Sequence, residues 1–183
     1  MIKRFLTPIL FFLFLIIIPP FFYLFNYSQT VSGTNNGTVQ YELPYPGLLP
    51  DHPLYLLKAV RDNSLVFITR DNVNKARLQL EKSDKRIRAA EMLATAGKNT
   101  LTISTLSKGE KHFQQAIESL VNAKTQGETP TDETISLMKR SNEKHLDVIN
   151  HILINFPQGD QEQLQLILAL NQENAKNLRA LSK

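Results

Sequence analysis

Apolar residues follow two different patterns along this chain. From Phe5 to Phe25 they are nearly continuous. FLTPILFFLFLIIIPPFFYLF carries no charge, and as a helix its 21 residues span about 30 Å, the thickness of a bilayer core. From residue 53 onward apolar residues recur at spacings of three and four, the period of an amphipathic helix. Leu54, Leu57, Val60 and Ser64 open that region, with Tyr55, Leu56 and Phe67 as further apolar surface. They predict a short helix over 53–67, capped by Asp51 and packing its leucines and Tyr55 on the bundle behind it.

Four longer helices come next. Asp71 caps the first, whose seam reads Val73, Ala76, Leu80, Ser83, Ile87, Ala90, Ala94 before Gly97 ends it. The second runs from about Thr102 to Gln126, with Leu106, Gly109, Phe113, Ala116 or Ile117, and Leu120 on one face, and Gly127 closes it. Thr131 or Asp132 caps the third, which carries Ile135, Met138, Asn142, His145, Ile149, Ile152 and Phe156 and stops at Pro157 and Gly159. The fourth starts at Asp160 and carries Leu164, Ile167 or Leu168, Asn171, Ala175 and Leu178. No segment keeps period two, so no sheet is expected. The connections 98–101, 127–131 and 157–159 are short, and short connections force antiparallel neighbours. The expected fold is all-α: an up-and-down bundle of four longer helices plus a short opening helix, behind an N-terminal membrane segment.

Lys3 and Arg4 precede the apolar run, and the next basic residue is Lys58. The positive-inside rule puts the N-terminus in the cytoplasm and everything after residue 26 outside, with membrane contact through residues 5–25. The run exceeds an ordinary signal-peptide core and reads as an uncleaved anchor. Cleavage stays open: Pro19-Pro20 would break a helix late in the run, and Thr30-Val31-Ser32 or Val31-Ser32-Gly33 is a small-residue site. The chain then divides into anchor or signal 1–25, linker 26–43 and domain 44–183. The linker NYSQTVSGTNNGTVQYEL cannot bury a core, and its 18 residues predict a flexible tether with an r.m.s. span of about 25 Å. If the segment is cleaved, the domain is secreted.

Between tether and bundle lies PYPGLLPDHPLYLLK. Its prolines keep the chain extended or turned, and Gly47 permits a turn. Pro46, Gly47, Leu49, Pro50, Pro53, Leu54, Tyr55, Leu57 and Lys58 together form P-G-x-L-P-x-x-P-L-Y-x-L-K. This resembles the signature opening a bacterial family of uncharacterised extracytoplasmic helical domains, recorded as a domain of unknown function. The resemblance covers residues 44–180 and implies location and architecture. It brings no catalytic residues.

Charge and composition narrow the chemistry. Outside the membrane segment, 19 basic residues face 17 acidic ones and alternate with them, as in RDNVNKARLQLEKSDKRIRAAE. That is the pattern of solvated helix faces, not the one-signed stripe of a nucleic-acid binder. The absence of cysteine excludes disulfides, thiolate sites and a cysteine-linked lipid anchor. No phosphate loop, nucleophile elbow or paired-carboxylate signature is present, so no catalytic residue and no cofactor is assigned. Ser83, Asn142, His145 and Asn171 interrupt the apolar seams, as a polar layer that fixes helix register does. The alternative is a metal or ligand site in which His112 and His145 meet across the second and third long helices. No HExxH pattern or i, i+4 histidine pair supports it. The expected function is a non-catalytic interaction or envelope structural module, its partner another envelope protein or a second copy. The alternative function is metal or ligand sensing through His112 and His145.

Overall fold

Local residues answer the free backbone groups at several ends of the long helices. In a computed structural model of the chain, residues 41–181 are described; the apolar run 5–25 and residues 26–40 of the expected tether lie outside them. Helix α1 spans Tyr55–Ile68, α2 Asn72–Thr95, α3 Asn99–Thr125, α4 Asp132–Asn155 and α5 Gln161–Leu181, with a 3-10 turn at Gln158–Asp160 before the last. There is no strand among the described residues, and no helix there is long and apolar enough to cross a membrane.

The Asp71 carboxylate accepts the Asn74 N–H at 2.5 Å at the start of α2. The Thr131 hydroxyl accepts the Thr134 N–H at 3.2 Å at the start of α4, so Thr131 rather than Asp132 is the cap. Gly97 and Gly127 follow α2 and α3 at φ +70° and +84°, a left-handed conformation that glycine takes without strain. Helix α3 starts three residues earlier than its pattern predicts. Nothing in residues 99–101 breaks a helix, and the Thr102 N–H reaches the Lys98 carbonyl at 2.9 Å.

Each long helix crosses two apolar clusters. One contains Ile87, Leu106, Val148, Ile149, Ile152, Leu164 and Ile167. The other contains Leu80, Phe113, Leu120, Ile135, Met138 and Leu178. Along the chain α2 passes from the second cluster to the first, α3 returns, α4 goes back and α5 returns again. The four helices therefore alternate in direction. Helices α2 and α3 approach closely at Gly109, where a Cβ would lie 2.7 Å from Ile87 Cδ1; the Ser83 hydroxyl donates to the Gly109 carbonyl at 2.8 Å.

The opening segment departs from expectation in three ways. First, the ordered bundle begins inside the predicted tether: the Tyr41 hydroxyl donates to Asp84, and Leu43 packs on the first cluster. Second, Asp51 caps nothing. Its carboxylate pairs with Lys98, which holds it below the usual carboxylate range, while His52 Nδ1 accepts the Leu54 N–H at 3.1 Å. Third, Leu54, Leu56 and Leu57 do not pack on the bundle. Leu57 and Phe67 are 70% and 88% exposed, and only Val66 of this helix is buried. Polar bonds set the rotation: Arg86 donates to the Tyr55 hydroxyl at 3.0 Å, Lys82 to Asn63 Oδ1 at 2.6 Å, and Lys58 to the Pro46 carbonyl. Tyr55, Ala59, Asp62 and Val66 share the inward side, and the apolar side points away.

Candidate functional site

Midway between the two apolar clusters, every long helix contributes polar side chains at one level. These are Ser83 and Asp84 from α2, Glu110 from α3, Ser141, Asn142 and His145 from α4, and Asn171 and Asn174 from α5, all buried. The level follows from the sequence spacing. Asp84 lies between Leu80 and Ile87, Glu110 between Leu106 and Phe113, His145 between Met138 and Ile149, and Asn171 between Ile167 and Leu178.

His145 is the centre of the layer. Its Nε2 lies 2.9 Å from Asp84 Oδ1 and its Nδ1 3.0 Å from Glu110 Oε1. Burial disfavours the imidazolium, but hydrogen bonds to Asp84 and Glu110 and their negative charges outweigh it and raise the group to about 9. At neutral pH both ring N–H groups therefore donate, each to a different helix. Phe113 meets the ring edge-on at 5.4 Å.

The two carboxylates are satisfied in turn. Ser141 donates to Asp84 Oδ1 at 2.6 Å, and Tyr41 donates to Asp84 Oδ2. Burial, with the Asp84 charge, raises the Tyr41 phenol and keeps it protonated. Asn171 donates to Glu110 Oε1 at 3.3 Å, and Asn174 to Oε2 at 3.0 Å and to the Glu110 carbonyl at 3.1 Å. Asn142 and Asn171 exchange amide-to-carbonyl bonds across α4 and α5, each at 3.3 Å. Asn174 Oδ1 is buried without a hydrogen-bond partner.

The expected polar seam residues Ser83, Asn142, His145 and Asn171 thus all lie in the buried layer. His112 and His145 are not bonded to one another. His112 Nδ1 lies 2.8 Å from Gln79 Oε1 and 3.1 Å from Gln115 Oε1, and burial, together with the Lys82 and Arg86 charges, lowers the ring to about 4. Among the described residues no group of three or more His, Cys, Asp or Glu side chains is placed to hold a metal ion. The His145 nitrogens diverge toward separate carboxylates and do not converge on a common point. A groove lined by Gln114, Ile117, Val121 and Asn177 shares no residue with the layer. What the layer does chemically is hold one cation between two anions, out of water, with fixed donors around them.

Sequence reasoning missed Asp84, Glu110, Ser141, Asn174 and Tyr41. Asp84 and Glu110 sit inside charged runs, SDKR and GEKH, that read as solvent faces. The available signal was coincidence of level: each directly follows a seam residue, Ser83 and Gly109, at the height of His145.

The motif residues form a separate clasp. Gly47 takes φ +69°, Pro46 is buried, and the Lys58 ammonium returns to the Pro46 carbonyl, with Leu48 O at 3.4 Å. The last residue of the motif thus closes on its first. A family model, the Domain of unknown function (DUF5667), matches residues 47–157, more than half of the chain. The chain belongs to this family. The DUF5667 match begins inside the clasp and ends just after α4, so Asp84, Glu110 and His145 fall within it and Tyr41, Asn171 and Asn174 outside. No curated protein and no solved structure matches the chain.

Proposed function

We propose that this protein is a membrane-tethered extracytoplasmic helical module that works by docking, without catalysis. The observation that carries the reading is the outward side of α1. Leu56, Leu57, Val60, Phe67 and Ile68 are all exposed there on one side of a single helix, interrupted by Ser64. A helix of an isolated soluble bundle turns such a side inward; left outside, it marks a contact surface. The interior supports the same reading. Its titratable groups are sealed and bonded to one another, as in a layer that fixes helix register. The uncharged run 5–25, with Lys3 and Arg4 before it, supports the tether and its orientation.

The test is photo-crosslinking in cells from a reactive side chain at position 57, with position 172 on α5 as an exposed control. A defined adduct at 57 and none at 172 is expected. Equal labelling, or none, sinks the docking reading. Labelling of a cysteine at position 172 by a membrane-impermeant reagent in intact cells is expected; protection until lysis overturns the extracytoplasmic placement.

A further inference from the structure

The apolar side of α1 is edged by positive charge. Arg61 lies beside it on α1, and Lys82 of α2 reaches Asn63 on its other edge at 2.6 Å. Lys58, Lys85 and Arg86 lie close behind them, toward the bundle. Two of these cations are paired: Arg61 with Asp62 at 2.7 Å, and Lys85 with Glu81 at 2.5 Å. The cations are close enough to oppose one another. The Lys58 ammonium is pushed down first by burial and, against the pull of Asp62, by Lys85, Arg61 and Arg86; that of Lys82 is pushed down by burial and Arg86, with Asp62 opposing.

An exposed apolar helix face with basic flanks is the form of a helix that lies in a membrane interface. We propose that α1 docks on an anionic lipid surface, its apolar side at the headgroup–acyl boundary and the flanking cations over the headgroups. The inference names the partner of the docking face proposed above and rests on that reading. Two further observations favour lipid. Residues 26–40 connect Phe25 to Tyr41, and fifteen residues reach at most about 50 Å, so an anchored chain keeps α1 within range of the bilayer surface. Pairing two copies through this face would bring two cation-rich groups together, whereas anionic headgroups neutralise them.

The full chain has no cysteine, so single reporters are readily placed. Fluorophores at Leu57→Cys, Phe67→Cys and the control Gln172→Cys are read in phosphatidylcholine vesicles with and without phosphatidylglycerol. A lipid-borne nitroxide and aqueous iodide serve as the two quenchers. Positions 57 and 67 are expected to be quenched several-fold more by the nitroxide than position 172, and more strongly with phosphatidylglycerol present. Arg61→Gln or Lys82→Gln then shifts the docked equilibrium about fivefold each, the weight of one cation at an anionic surface. Nitroxide quenching at 57 and 67 equal to that at 172, with full iodide access, overturns the proposal. Energy transfer between differently labelled copies in place of lipid quenching also overturns it, in favour of self-association. Photo-crosslinks from position 57 that go to protein alone overturn it in favour of a protein partner. Retention of the chain on vesicles through an alkaline wash reads the anchor separately. An anchored chain with iodide-accessible α1 defeats only the lipid inference; a washed-off chain whose α1 is quenched before the wash defeats only the anchor.

Discussion

At the centre of the bundle, Asp84, Glu110 and His145 are withdrawn from water, while on α1 Leu57 and Phe67 face it. The ordinary distribution is reversed in both places, for different reasons. Burying three charges is unfavourable unless each finds partners of opposite sign and the remaining lone pairs are filled. Here four helices and Tyr41 supply those partners, so the layer holds only when all of them are in register. Exposing hydrocarbon forgoes roughly 25 cal/mol for each Å² left in water. On α1 that loss is accepted because Arg86 bonds Tyr55 on its inward side, Lys82 bonds Asn63 at its edge, and its own Lys58 returns to the Pro46 carbonyl. The charged interior is committed to internal partners, whereas the apolar exterior is left to an external one.

The sharpest way to break the interior is to remove one ion. Glu110→Ala leaves the His145 cation half-paired and the Asn171 and Asn174 amides without their carboxylate, and is expected to cost ~3–5 kcal/mol of unfolding free energy by denaturant titration. Two phenylalanines carry the contrast next. Phe113→Ala, fully buried, is expected to cost ~3–5 kcal/mol, whereas Phe67→Ala changes stability within about 0.5 kcal/mol in detergent-free buffer. Equal losses at the two positions would mean that α1 is packed rather than free.

Stability should also depend on pH with opposite signs at the two histidines. The folded value of His145, about 9, lies above its ordinary 6.5. Its contribution is therefore full below about pH 6.5 and is lost as pH rises through about 9, in total of order 3 kcal/mol. His112 is held down to about 4, so its contribution is present above about pH 6.5 and is lost as pH falls toward 4. Midpoints of denaturation against pH should lose their alkaline decline in His145→Gln and soften their acid decline in His112→Gln. An unchanged alkaline limb in His145→Gln would show that the ring is neutral in the folded protein. The smallest effect is local: Asp71→Ala removes the cap of α2 and is expected to cost ~1 kcal/mol, read as faster amide exchange in its first turn.

What the sequence determined by itself was the set of helices and those of their ends that a local cap or stop residue marks. Asp71, Gly97, Thr131 and Pro157 act on neighbouring backbone, so their effects need no knowledge of the rest of the chain. The apolar seams, and the polar interruptions at Ser83, Asn142, His145 and Asn171, were equally legible, because the helical period alone brings them to one side. Tertiary structure decided what depends on rotation and level. Whether Asp84 and Glu110 meet water or His145 is set by where three other helices stand. Tyr41 joins them only because the chain before the motif runs back along the bundle. The same cause acts in reverse on α1. Its pattern shows an apolar side but not which way that side turns, and three polar bonds from residues 31, 19 and 12 positions away in the chain turn it outward.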